Sequence, residues 1–357
     1  MDVATTPDVA PLAPAQASGG VRGWSPRWAA AALVLVLCAA ALPFLVSNYR
    51  VFQLSMVLIY AIALLGLNIL TGYNGQISLG HGAFYAIGAY VTAILMDHYA
   101  VPYWLCVPAS GAVCLLAGFL FGLPALRLAG VYLALATFAL GVALPQLLKY
   151  KHLEAWTGGV QGITLVKPDP PFASLLGLQL NPDRWLYLFT LAVAVVMFVL
   201  AWNLLRGRVG RALIAIRDQP IAAATMGIDL ALYKSLAFGV SALFTGVAGA
   251  LGAIAVAFVA PDSFTIFLSI SLVVGMVVGG LASITGALWG ALFIQFVPNL
   301  ADQVSKAAPW AIYGALMIVF MYVMPTGIAG ALRLAWLRAK RGARRGPSAA
   351  RAPRSLS

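Results

Sequence analysis

The chain has 357 residues, 62% of them hydrophobic and only 9% charged, and its 22 Lys and Arg against 10 Asp and Glu leave a net charge of +12. A soluble domain of this composition would lack the polar surface needed to cover itself, so lipid must be its solvent. The positive charge does not point to nucleic acid: no aromatic and basic platform accompanies it, and the basic residues gather in short segments beside apolar runs.

Residues 1–26, rich in Ala, Pro and Ser and without a dense basic start, read as a disordered tail rather than a signal peptide. The apolar run at 28–46 is long enough to span a bilayer and reads as an uncleaved anchor. Further runs follow at 51–70, 83–97, 104–125, 131–148, 185–205, 235–258, 263–280, 284–304 and 309–325. The sequence therefore predicts an all-α, polytopic membrane helix bundle of about 8 to 10 transmembrane helices over residues 27–330. The short runs at 83–97 and 263–280 allow a re-entrant reading, and they must be gained or lost together, because losing one alone inverts the sidedness of every later segment.

Crossings that alternate from an inside start put 206–234 inside, 149–184 outside and the C-terminal segment inside. The charges agree. Residues 331–357 form a basic cytoplasmic tail with Arg333, Arg338, Lys340, Arg341, Arg344, Arg345, Arg351 and Arg354, whereas the 149–184 loop balances Lys149, Lys151, Lys167 and Arg184 against Glu154, Asp169 and Asp183. Small residues at fourfold spacing (Ser241, Thr245, Gly249, Ala253 and Ala257; Gly118 and Gly122; Gly275 and Gly279; Gly286 and Gly290) predict close helix approach in one bundle. Cys38, Cys106 and Cys114 lie in apolar runs and read as small core residues, without disulfide or metal spacing.

Gly72, Tyr73, Asn74, Gly75, Gln76, Ser78, Gly80, His81 and Gly82 set a polar, glycine-rich run before an apolar stretch of only about 22 Å, short of the roughly 30 Å hydrocarbon core. Such a helix needs an extension or a break. Irregular backbone at membrane depth is tolerated only inside protein or beside a watery cavity, which makes Asn74, Gln76, Ser78 and His81 candidates for a translocation path. The other reading is a cytoplasmic turn whose glycines permit close packing, with His81 a hydrogen-bonded structural residue. Residues 277–291, VVGGLASITGALWGA, offer a second break, so short or broken helices are expected near 71–97 and 263–290, and Gly75–Ser78 against Gly280–Ser283 hints at an internal repeat.

The segment 206–234, RGRVGRALIAIRDQPIAAATMGIDLALYK, is the long arginine-rich and helix-patterned loop of the chain. Residues 211–217 form a first helical piece, Asp218 caps a second with Pro220 in its first turn, and Gly227 stops it. The apolar stretch Ile221–Met226 is too short to be stable alone and needs a cover, either a soluble partner or lipid headgroups.

Proton coupling is disfavoured because the acidic residues avoid the span centres, although sodium coupling through carbonyls and hydroxyls stays open. No GxxxxGK[ST] phosphate loop is present, so uphill transport would need a separate ATPase. A membrane-embedded enzyme would require a nucleophile or metal cluster, which a lone His81 does not supply. An ion-coupled secondary transporter of small polar solutes is the alternative reading.

The IAAATMG stretch resembles the EAA-type coupling loop of ABC importer permeases, with Ala222, Ala223 and Gly227 at the motif's positions and Ile221 in place of its Glu. RALIAIRDQPIAAATMGIDLALYKSLAF is similar throughout to the LivM-type branched-chain amino acid permeases, which lack that Glu. GLNILTGYNGQISLGHGAFYAIGAY (66–90), GVYLALATFAL (130–140), TGGVQGI (157–163) and VVGGLASITGALWGA extend the resemblance, in order, over residues 50–330. The resemblance implies a bacterial inner-membrane subunit with cytoplasmic termini and with no catalytic site, cofactor or metal of its own. It also implies as partners a homologous permease, two ABC ATPases and a periplasmic substrate-binding protein. Arg211, Arg217, Asp218, Ala222, Ala223, Met226 and Gly227 would then contact the ATPase, and the cargo would be leucine, isoleucine, valine or a related small amino acid or amide.

Overall fold

The computed structural model describes residues 26–128, 130–170, 181–304, 309–324 and 326–344. The expectation for the N-terminal tail therefore lies outside the described residues up to residue 25, as does the C-terminal segment from 345. Contacts divide the chain into two compact units, one ending at Ala41 and the other running from Leu42. Helix α1, Pro26–Leu45, supplies the described part of the first.

Every apolar run expected to span is a helix. After α1 come α2 (Asn48–Leu67), α3 (His81–Tyr99), α4 (Tyr103–Ala125), α5 (Val131–Leu148), the single turn α6 (Glu154–Thr157) and α7 (Pro182–Arg206). Then follow α8 (Arg208–Asp218), α9 (Pro220–Thr225), α10 (Leu230–Val256), α11 (Ile266–Gly279), α12 (Ile284–Val304), α13 (Pro309–Val323) and α14 (Gly327–Arg344). Among the described residues, strands are confined to β1, Ile163–Thr164, which pairs antiparallel with β2, Phe258–Val259. Among the described residues seven helices are long and apolar enough to cross a membrane. α3 is not among them despite its nineteen residues, which include His81, Asp97, His98 and three tyrosines.

Both breaks exist, and α3 also carries the extension the sequence demanded. Two residues added at each end of the 83–97 run bring it to about 28 Å. α2 continues through a π-helical turn, Asn68–Tyr73, before residues 74–80 leave helical geometry. The second break, 280–283, separates α11 from α12 and uses Gly280 at φ 120 and Ala282 at φ 54.

α10 is the axis of the Leu42–Ser357 unit and packs against α4, α3 and α2. In lipid, close approach has to replace hydrophobic drive, and the small residues provide it. A Cβ at Gly88 would overlap the Gly246 carbonyl, and one at Gly279 would overlap that of Gly286. Ser241, Thr245, Gly249 and Ala253 of the expected stripe are buried, whereas Ala257 ends the helix at φ 60. Phe238 packs edge to face with Phe84 at 6.3 Å and tilted against Phe121 at 5.6 Å between ring centroids. Cys106 and Cys114 are buried, as core cysteines should be, but Cys38 is exposed on α1.

Among the described residues, the connections after α2, α7 and α11 lie at one end of this unit and those after α3, α5 and α10 at the other. At one end the π turn that leads into 74–80 meets both the 280–283 break and α8. At the other, β1 pairs β2, His98 Nε2 hydrogen-bonds the Ala155 carbonyl at 3.1 Å, and Lys149 pairs with Asp262. That alternation is what successive crossings of one bilayer require.

Candidate functional site

Residues 74–80 are irregular in backbone yet alternate in burial: Asn74, Gln76, Ser78 and Gly80 are buried while Gly75 and Ile77 are exposed. The segment thus turns its polar side chains into the bundle, where each needs a partner. Asn74 Nδ2 donates to Gln76 Oε1 at 2.9 Å, and Thr71 Oγ1 donates to the Gln76 carbonyl at 3.0 Å. Asn74 Oδ1 is buried without a hydrogen-bond partner.

The start of α3 presents the same problem on the backbone, since the first N–H groups of a helix have no intrahelical acceptor. Side chains take the N–H of Gly82 inside the helix and those of the two residues just before it. Leu79 N–H donates to Thr137 Oγ1 of α5 at 2.9 Å, Gly80 N–H to Ser78 Oγ at 3.4 Å, and Gly82 N–H to Ser269 Oγ of α11 at 2.9 Å. His81, itself buried, closes the set. Ser241 Oγ gives its single proton to the Gly66 carbonyl at 2.7 Å, so at 2.6 Å it must accept from His81 Nε2–H. His81 Nδ1 is left to accept from Ser78 Oγ at 2.9 Å. The hydrogen-bond network thereby assigns the tautomer and a neutral ring whose two nitrogens are both engaged.

The loop 206–234 folds as two helices at this same end. α8 is amphipathic, burying Gly210, Ala212, Leu213 and Ile216 against the bundle. Pro220 opens α9 and Gly227, at φ 83, follows its end, as the sequence predicts. Asp218 does not cap α9. It is the last residue of α8, Gln219 occupies the cap position, and the Asp218 carboxylate accepts from Arg217 Nε at 2.9 Å. The carboxylate that does cap is Asp229, whose Oδ1 accepts from Ala231 N at 2.9 Å and Leu232 N at 3.1 Å to start α10. Within α9 Ala223 is buried, Ala222 is exposed, and Ile221 and Met226 are 81% and 83% exposed.

Arg217 joins loop and break. Its Nη1 donates to the Gly72 carbonyl at 2.9 Å, and its Cγ lies 2.8 Å from where a Cβ on Gly75 would sit. Gly75 is at φ 75, so that position needs glycine twice over, for its backbone and for its neighbour. Arg211 stays apart from these contacts, and its Nη1 donates to the Arg206 carbonyl at 3.4 Å. One more side chain ties this end together: Asn68, 2% exposed, donates from Nδ2 to the Ser283 carbonyl and accepts at Oδ1 from Ala282 N–H, each at 2.8 Å.

Sequence reasoning brought Arg217, Asp218, Asn74, Gln76, Ser78 and His81 into view but not Asn68, Thr137, Ser241 or Ser269 as partners of the breaks. A polar residue inside an apolar helix is the available signal, because in lipid it has to find a partner.

The family described as branched-chain amino acid transport system, permease component, matches residues 49–324. The high-affinity branched-chain amino acid transport system permease protein LivM of Escherichia coli is 35% identical over 337 residues, 89% of this chain and 78% of that one. LivM of Salmonella typhimurium is 35% identical over 316 residues, 83% of this chain and 73% of its own. The LivH permease of Salmonella typhimurium is 26% identical over 293 residues, 76% of this chain and 91% of that protein. No solved structure gives a significant match. With its apolar helices, the match makes the chain a multi-pass membrane protein. The chain belongs to the permease-component family of branched-chain amino acid transport systems.

Proposed function

We propose that this chain is the transmembrane permease subunit of an ABC importer for branched-chain amino acids or closely related small amino acids and amides. It works beside a homologous permease, above two separate ATPase subunits and below a periplasmic substrate-binding protein, with both termini and the α8–α9 loop in the cytoplasm of a bacterial inner membrane. The observation that carries the reading is the build of that loop. Ile221 is exposed on a six-residue helix too short to stand alone, as is Met226 at its C-terminal cap, while Arg217 leads from the same loop to the π turn before the first break. An ATPase that covers α9 with Ala222, Ala223, Met226 and Gly227 in contact moves α8, and Arg217 with Asp218 carries the movement to residues 72–75. Arg211 lies on the flank of that contact.

The translocation path runs along the polar face of the first break. Asn74 and Gln76 face it, and the unpartnered Asn74 Oδ1 is an acceptor for a passing ammonium or amide N–H. Ser78 and His81 support that face from behind through Ser241. The permease makes and breaks no bond, so its contribution is mechanical.

Reconstitution tests the proposal. The chain alone in liposomes accumulates no solute, with or without an ion gradient, whereas the full assembly accumulates a branched-chain amino acid only with ATP inside. Ion-driven accumulation by the chain alone would favour a secondary carrier instead.

A further inference from the structure

We infer that Asn68 is a positioning residue that locks the two helix breaks into one moving part, so that displacement of α8 reaches both; the inference rests on the coupling role proposed for the α8–α9 loop. Asn68 stands at the first residue of the π-helical turn, and its amide mimics a peptide group. It donates to Ser283 and accepts from Ala282, 214 residues further along the chain. Both hydrogen bonds land in the second break, on a backbone that includes two residues at positive φ. Ala282 sits at φ 54, where an L-residue with a Cβ is strained, and Gly280 sits at φ 120. One residue of the π turn thus grips the second break, while another is gripped by the coupling loop through Arg217 Nη1 and the Gly72 carbonyl.

The three parts are in contact at Gly72. A Cβ there would overlap Asn68 Oδ1 and lie 2.6 Å from Ala282 N. The joint therefore has no slack: the Gly72 that Arg217 holds is packed directly on the amide that holds residues 282–283. A π turn is a one-residue irregularity in a helix that recurs at functional sites, and it gives α2 a place to change pitch without moving its buried body. Such a linkage explains why a polar, fully engaged Asn occupies a helix otherwise lined there by Leu65, Leu67, Ile69 and Leu70.

Two measurements on the whole chain test this. In lipid nanodiscs, Arg217→Ala is expected to speed backbone hydrogen exchange across residues 281–286 by about tenfold, within the range of coupling between linked sites. The same change is expected to add nothing in an Asn68→Leu background, where that exchange is already fast. Exchange at 281–286 that ignores Arg217→Ala in the otherwise unaltered chain overturns the linkage, whether or not Asn68→Leu folds and whether or not ATP drives transport. In the reconstituted assembly, Asn68→Leu is expected to lower substrate moved per ATP hydrolysed by about tenfold. A residue that only stabilises the fold would lower uptake and hydrolysis together, and an unchanged ratio counts against the inference. Failure of the unaltered assembly to transport with ATP would instead remove the proposed function and leave the exchange result to decide the linkage.

Discussion

At the end of the bundle that carries the breaks, elements far apart in sequence are joined by side chains reaching backbone: Asn68 to residues 282–283, Arg217 to Gly72, Thr137 to Leu79 and Ser269 to Gly82. At the opposite end a backbone-on-backbone pair, β1 against β2, carries the closure, with the exposed His98–Ala155 contact and the Lys149–Asp262 pair beside it. A strand pair fixes geometry whatever its side chains, whereas a joint made by one amide or one guanidinium depends on that residue and can be re-made in another position. The first kind suits an anchor and the second a moving part. Both ends hang on the same centre, since 83% of the most apolar stretch of α10 is buried against 22% of that of α5.

The largest effect is expected where that shared centre is broken. Gly88→Leu drives a side chain into the Gly246 carbonyl, and α10 backbone has nowhere to retreat between α2, α3 and α4. A cost of about 3 kcal/mol, the upper end of what overpacking typically costs, is expected. The yield of monodisperse protein from detergent-solubilised membranes should collapse, at both ends alike.

Smaller and one-sided is Ser241→Ala. It leaves His81 Nε2–H without its acceptor, at about 1–3 kcal/mol for an unsatisfied buried polar group. Hydrogen exchange at residues 78–84 should quicken while the β1–β2 pair keeps its protection. Equal loosening of both ends would erase the difference between anchor and moving part.

Those two changes also mark how far the sequence could be read. The ten apolar runs and the two breaks follow from composition alone, because length and hydropathy are local properties and each helix satisfies its own backbone. The helix pair in 206–234 was legible from Pro220 and Gly227, which act on their own neighbours. The partnerships of Ser241, Ser269, Thr137 and Asn68 were not, since nothing near them in the chain says which break they serve. Asp218 reads as a cap because local rules favour any acid before a proline-led helix; its neighbour Arg217 claims the carboxylate, and Asp229 does the capping one loop later.

Gly227→Val comes next. Space around Gly227 is open, so the cost is backbone strain at φ 83, about 1–2 kcal/mol confined to the turn after α9. The bundle should fold normally and retain less ATPase on co-purification. Full retention and full uptake would remove the turn from the docking surface. Asp229→Ala is expected to cost about 1 kcal/mol as a lost helix cap, fraying the start of α10 beside that surface without unseating α9.

The least effect belongs to the opposite end. Lys149 and Asp262 form an ion pair in which the carboxylate side chain is 67% exposed, so water and salt screen most of the attraction. Lys149→Ala should change thermal stability by no more than about 0.5 kcal/mol and leave ATP-driven uptake as it was. The reason lies in the neighbouring backbone: Leu165 N–H donates to the Ala257 carbonyl and Ile163 faces Val259 whether or not the lysine is present. If losing this half-buried cation slowed transport as severely as losing Arg217, the anchor and the moving part would have to be assigned the other way round.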